Sequence, residues 1–263
     1  MADPLLELRS ISQTFGGLRA LDNVELSVPT RATAGLIGPN GAGKTTLFNV
    51  VTGFLSPDQG SVFFSGEELS GRPPHEIAQL GLVRTFQRAR PLTDLTVLEN
   101  AMAGAFRHGT SGPFSTIFGL RSARREEAAI RHKANELLDR VGLNMLPDEA
   151  RPDELTAGQL RLLEIARVLA TEPEMVLLDE PAAGLSRSET SALADVIQSL
   201  PDQGITCLLV EHDVELVFQV CEEVTVLDFG KVIARGSPSA VRGDPAVLNS
   251  YLGKGDNGDD ADG

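Results

Sequence analysis

The chain has 263 residues, 23 Lys plus Arg against 37 Asp plus Glu, and a formal net charge of −14. That length holds one large domain or two modest ones with a sizeable core, and that charge argues against unassisted binding to nucleic acid or to an anionic membrane surface. The start MADPLLELRS has no basic segment followed by an apolar one, and no apolar run approaches the ~18 residues of a membrane helix, so a soluble chain is expected, in which any membrane role must come through a partner.

In chain order, LLELRSISQTF, VELSVP and SVFFSGEEL read as antiparallel strands separated by Gly, Pro and Asn/Asp turn signals. Between them TAGLIGPNGAGKTTLFNVVTGF reads as a buried strand, Thr33 to Ile37, a glycine loop and a helix. Leu47, Val50, Val51 and Phe54 fall at i, i+3, i+4 and i+7 on one expected apolar face, and Pro57 to Gly60 is expected to close the unit. From Pro91 to Asp153 the texture is helical. Ile130, Ala134, Leu137, Leu138 and Val141 mark one face and Arg131, Lys133, Glu136, Asp139 and Arg140 the other, after a loosely packed insertion at RHGTSGPFSTIFG.

LTAGQLRLLEIARVLA, Leu155 to Ala170, reads as a capped amphipathic helix. Thr156 caps its first turn, and Gly158 lets a ligand approach the backbone. Such a start attracts anions, because free N–H groups and the positive dipole end point the same way. Then EMVLLDE, TSALADVIQSL, ITCLLVEHD and a hairpin VTVLDFGKVIARG alternate strand with helix, which predicts a parallel sheet covered on both faces. Cys207 and Cys221 show no ligand spacing and read as small buried hydrophobes of a reducing compartment. The tail GKGDNGDDADG has Ala261 as its one apolar residue and reads as a disordered solvating end.

Gly38, Gly43, Lys44 and Thr45 fit G-x-x-x-x-G-K-[ST] between a buried strand and a helix. In that setting glycines let backbone N–H groups wrap phosphates, Lys44 neutralises β/γ charge, and the Thr45 hydroxyl takes Mg²⁺. The competing reading is a glycine-rich turn with a solvated lysine. At the end of the apolar run MVLLDEP stand Asp179, placed to hold Mg²⁺, and Glu180, placed to face the γ-phosphate and polarise water. A solvated strand-end pair is the alternative. His212 ends LLVEHD, where it meets a phosphate or serves as a structural histidine. Phe15 stacks on a base or fills core; Gln87 orients water or is a surface amide. Asp228-Phe229-Gly230 matches a kinase tripeptide, but no H-R-D loop or V-A-I-K strand accompanies it.

Together these motifs resemble the nucleotide-binding subunit of ATP-binding-cassette transporters over Leu6 to Leu252. LTAGQ is similar to the L-S-G-G-Q signature, with Ala157 in place of the first glycine, and PAAGLSRSE departs at the dimer-contact loop, where Ser186 and Arg187 replace the usual aspartate and proline. The resemblance implies an α/β fold: a P-loop NTPase (RecA-like) core with a parallel sheet, an antiparallel β subdomain and an α-helical subdomain at about 91–158. It implies one cassette domain over 5–253 and a tail at 254–263.

It further implies ATP and Mg²⁺ as cofactors. Nucleotide would be held by Phe15, Gly38, Pro39, Asn40, Gly41, Ala42, Gly43, Lys44, Thr45 and Thr46, and by Thr156, Gly158 and Gln159. The metal would be held by Thr45, Gln87 and Asp179, and catalysis assigned to Glu180, the switch histidine His212 and Gln87 of the glutamine loop. The family works as head-to-tail homodimers or heterodimers, each ATP lying between one chain's glycine loop and the other's signature helix. Two membrane-spanning permease subunits, docked on the helical segment after Gln87, and indirectly a substrate-binding protein complete the expected assembly. It would sit in the cytoplasm, peripheral on the cytoplasmic face of the cell membrane, without nucleic acid. GLVRTFQ, LTVLENAMAG and GKVIARGSP are similar to the branch that energises branched-chain amino-acid import. The alternatives are import of another substrate, such as urea, amides or lipopolysaccharide, a soluble non-transport cassette ATPase, and a glycine-loop phosphotransferase. The last has no reason to carry LTAGQ.

Overall fold

The computed structural model describes residues 4–85, 91–105 and 121–252. Strands β1 (Pro4–Phe15) and β2 (Leu18–Pro29) pair antiparallel across the turn at Gly16 and Gly17, with Phe15 opposite Leu18. With β4 (Gln59–Phe64) and β5 (Glu67–Glu68) they form a four-stranded antiparallel sheet in the order β2-β1-β4-β5. The second sheet also uses β3 (Thr33–Ile37), β6 (Leu82–Arg84), β7 (Met175–Asp179), β8 (Thr206–Val210), β9 (Glu223–Asp228) and β10 (Lys231–Gly236), in the order β10-β9-β3-β8-β7-β6. All its neighbours are parallel except the β9–β10 hairpin.

Strands β3, β7 and β8 are buried at every residue and mostly apolar because both faces of this sheet are covered. Alternate residues divide between two cores. Ile37, Val176, Leu178 and Leu209 face the helical side, and Leu36, Leu177, Leu208 and Val210 face the antiparallel sheet. Helix α1 (Lys44–Val51) belongs to the second core. To the first belong α3 (Val97–Ala105), α4 (Arg121–Arg140), α5 (Ala157–Leu169), α6 (Arg187–Ser199) and α7 (Val214–Val220). The remaining helices are short: α2 (Pro74–Gln79), α8 (Pro238–Arg242) and α9 (Pro245–Leu252). The α4 stripe of Ala134, Leu137 and Leu138, followed by Val141, is buried as its periodicity predicts. No helix among the described residues is long and apolar enough to cross a membrane. Cys207 and Cys221 are free and buried, and burial pushes the Cys221 thiol up to about 12.

Three expectations are corrected. Phe54 does not extend the apolar face of α1: the helix ends at Val51 and Phe54 is 57% exposed. The periodicity fails at Gly53, whose φ of 72° leaves the helical region and whose Cβ, were there one, would stand 2.5 Å from the Arg72 carbonyl oxygen. The closing turn stops at Asp58, since Gln59 and Gly60 already belong to β4. β2 starts at Leu18 rather than Val24, because pairing with β1 carries the strand through residues that lack the half-buried alternation. The expected insertion at RHGTSGPFSTIFG, Gln87 and the acidic tail 254–263 lie outside the described residues.

Candidate active site: two anion-binding helix starts on one chain

The loop from β3 into α1 wraps backward on the helix start, as its glycines require. Gly38 has φ 153°, and a Cβ there would stand 2.0 Å from the Leu227 carbonyl oxygen, so only glycine fits against β9. Gly43 precedes α1 at φ 107° without a side-chain cap, which leaves the first-turn N–H groups pointed into the loop. Lys44 is buried, its Nζ donating to the Gly38 carbonyl at 2.5 Å and the Pro39 carbonyl at 3.1 Å. Loop carbonyls thus hold the ammonium beside the cradle.

Residues 40–46 line an open cleft of about 350 Å³. It brings together Asn40, Gly41, Ala42, Gly43, Lys44, Thr45 and Thr46 with Phe15, Glu180 and His212, all of which the sequence had singled out. Phe15 is 48% exposed and presents a ring to the cleft rather than to either core. Gly38 and Pro39 sit behind the loop, where they accept from Lys44. Phe229 also lines the cleft. In the Asp228-Phe229-Gly230 tripeptide Asp228 ends β9 and the other two residues make the β9–β10 turn, with φ 43° at Phe229 and 77° at Gly230, and Gly230 N–H donates to the Ala42 carbonyl at 2.9 Å. It buttresses the phosphate loop.

Asp179 and Glu180 part at the end of β7. Asp179 is 1% exposed, and one carboxylate oxygen, Oδ2, accepts from Arg84 at 2.6 Å. Its other oxygen, Oδ1, is buried without a partner. Arg84 ends β6, donates also to Asn49 Oδ1 of α1 at 2.7 Å, and lies over the Phe48 ring. The arginine therefore ties β6, β7 and α1 together. Glu180 turns out of the strand at φ 48°, with its N–H on the Val210 carbonyl at 2.8 Å. Its Oε1 lies 2.7 Å from His212 Nε2, a contact between the ends of two adjacent strands, β7 and β8.

The second helix start stands elsewhere. Thr156, Gly158 and Gln159 do not line the cleft. Thr156 caps α5 in a reciprocal box: its hydroxyl accepts from Gln159 N–H at 3.2 Å, and Gln159 Oε1 accepts from Thr156 N–H at 3.0 Å. The free amide expected at Gly158 is already bonded, donating to Glu189 Oε1 at 3.0 Å. Glu189 is the third residue of α6, where its Oε2 accepts from the N–H and hydroxyl of Ser186, the N-cap, at 2.9 and 2.8 Å. Ser186 and Arg187, the departures in the dimer-contact loop, thus begin a well-capped helix. One carboxylate closes two helix starts at once.

The Glu189 pKa is held at about 2, below its ordinary 4.5, by the Ser186 N–H, the Ser186 hydroxyl, the Gly158 N–H and the Thr156 hydroxyl, in that order. A depressed carboxylate stabilises the fold above its unfolded value and loses that contribution as pH falls through its folded value. Wild type should therefore exceed Glu189→Gln in stability at neutral pH. The gap should close between pH 4.5 and about 2, as read by urea unfolding across that range. An unchanged gap would mean that the charge contributes nothing.

Sequence reasoning missed Arg84, Glu189 and Phe229 as parts or neighbours of these sites. For Glu189 a local signal existed in S-x-x-E at Ser186; for Arg84 and Phe229 none did.

Comparison with known proteins identifies the family. A family model described as ABC transporter matches residues 21–183, and one described as branched-chain amino acid ATP-binding cassette transporter matches 231–257. The high-affinity branched-chain amino acid transport ATP-binding proteins BraF of Pseudomonas aeruginosa and LivG of Escherichia coli are each 39% identical over 255 residues, covering 97% of this chain and 100% of theirs. A crystal structure of the ADP conformation of a transporter's ATP-binding cassette superposes with a TM-score of 0.82 at 36% identity, covering 95% of this chain and 99% of that one.

Proposed function

Because this chain belongs to the ATP-binding-cassette transporter ATPases, we propose that it hydrolyses ATP to energise an importer of branched-chain amino acids. The carrying observation is the division of labour within one chain. A cleft gathers the phosphate loop, a strand-end glutamate and a histidine, while a second anion-type helix start lies outside that cleft. Two half-sites on one chain become two whole sites when two copies meet head to tail.

In this reading Phe15 stacks on the adenine, and the N–H groups of residues 40–46 wrap the phosphates. Lys44 leaves the Gly38 and Pro39 carbonyls for the β/γ oxygens. Water attacks the γ-phosphorus, the bond to the bridging β–γ oxygen breaks, and Glu180 takes the proton while His212 holds the Glu180 carboxylate in place. Mg²⁺, when bound, would neutralise charge on the transferring phosphoryl group. Two residues fit it: Asp179 Oδ1 is a buried acceptor without a donor, and Thr45 offers a hydroxyl at the loop; Gln87, the third candidate from the sequence, lies outside the described residues. Among the described residues no group of three or more His, Cys, Asp or Glu could hold the ion, consistent with a metal that arrives on the triphosphate.

Thr156, Gly158 and Gln159 of a second copy would close over the γ-phosphate, and hydrolysis would release that bridge. Residues 5–253 then act as one cassette, with about 91–158 as the helical part that docks two permease subunits on the cytoplasmic face of the membrane. Affinity purification from membranes tests this: two membrane-spanning partners should co-purify. ATPase activity of the reconstituted complex should rise with a binding protein loaded with leucine, isoleucine or valine. Stimulation by urea or amides alone would overturn the substrate, and the absence of membrane partners would overturn the transport role.

A further inference from the structure

Glu211 has no part in the site as read so far, yet it and Asp179 are the buried acids among the described residues. It is 3% exposed, one residue before His212. A carboxylate is costly to bury unless hydrogen bonds hold it. Here they come from the backbone of two loops. Oε1 accepts from Ala182 N–H at 2.6 Å, two residues beyond Glu180. Oε2 accepts from His212 N–H at 2.9 Å and, more weakly, from Asp213 N–H at 3.4 Å. Burial pushes the carboxyl pKa up, and those N–H bonds pull against it.

The position of these loops follows from the sheet. Asp179 lies opposite Val210 in the parallel β7–β8 pair, so the next residues, Glu180 and Glu211, leave adjacent strand ends together. Glu180 there adopts a left-handed φ of 48°, a conformation a non-glycine residue keeps only where its surroundings over-determine it. Two of the fixings are visible: Glu180 N–H on Val210 and Ala182 N–H on Glu211. We infer that Glu211 is a positioning residue for hydrolysis, a buried clip whose two oxygens hold the loop after Glu180 and the loop of His212 at the one spacing that gives the Glu180–His212 contact. This rests on reading Glu180 as the base; Glu211 itself does not line the cleft.

The clip needs two acceptor oxygens. Glu211→Gln has one, so its amide group must turn an N–H toward either the Ala182 or the His212 N–H and lose that arm. Glu211→Asp keeps the charge but is one methylene shorter. We expect either variant to lower kcat about 10- to 100-fold, the scale of a displaced catalytic group. KM for ATP and affinity for a fluorescent ATP analogue should stay within about twofold, because the phosphate loop is untouched. A purely structural glutamate would move nucleotide affinity and melting temperature along with kcat. The deciding measurement is a double-mutant cycle with His212→Ala. If Glu211 acts through the pair, Glu211→Gln adds less than about twofold to the His212→Ala loss. Multiplying losses, or nucleotide affinity falling in step with kcat, would overturn the inference. Should Glu211→Gln not fold, the cycle is run with Glu211→Asp. Near-normal activity in Glu180→Gln would instead count against the base, which keeps the two failures apart.

Discussion

Glu180→Gln should nearly stop turnover while leaving ATP bound. A general base supplies ~10²–10⁴ in rate, and the amide cannot take the proton that the attacking water must lose. The substitution is isosteric and keeps an oxygen for the contact now made with His212 at 2.7 Å. The phosphate loop is elsewhere in the chain and is not disturbed. With binding intact and the bridging γ-phosphate never removed, the variant should collect as an ATP-bound dimer, visible by size-exclusion chromatography with ATP and absent with ADP. ATPase activity near wild type would sink the assignment of Glu180.

Lys44→Ala and Gly158→Asp should each be inactive alone and partly active when mixed. Lys44→Ala removes the compact charge on the β/γ-phosphates. Gly158→Asp acts twice: its Cβ would lie 2.7 Å from Glu189 Cβ, and its carboxylate adds negative charge at the amide an anion should reach. In either homodimer every shared site carries one defect. In a mixed dimer both defects fall in the same site, so the other has an intact loop facing an intact signature helix. Subunit exchange followed by an ATPase assay should therefore recover activity. If each chain built its own complete site, no mixture would recover any. Closure that needs both ATPs would mask recovery, and crosslinking cysteines placed near Thr45 and Thr156 covers that case, since intrachain links alone would refute the shared site.

What was legible in the sequence is what local spacing encodes. The glycine loop is written in eight consecutive residues, and the strand–helix order around it predicts its place. Asp179 and Glu180 stand out because acids end an apolar run. The Thr156 cap and the α4 stripe follow from three- and four-residue spacings. The rest depends on pairing between distant segments. Arg84 meets Asp179 across 95 residues because β6 and β7 are neighbours, which a single sequence does not state. Glu211 looks like any acid at a strand end until Ala182 is brought beside it. Phe54 misled because a helical repeat was carried through a glycine that ends the helix. At Glu189 the capping box was readable, but the bond to Gly158 joins two helices and was not.

That bond changes what the exposed start of α5 offers to the surrounding solution. A bare helix start is a favourable place for a small oxyanion, and phosphate is abundant wherever ATP is used. Here the seat is filled by a tethered carboxylate, which never diffuses away and so competes at a high effective concentration. Free phosphate gains little by replacing it. In the proposed dimer a γ-phosphate held on the facing subunit would be tethered too, and would meet Glu189 on equal terms. In the proposed dimer the glutamate would act as a placeholder that makes the seat selective for a delivered anion over a dissolved one.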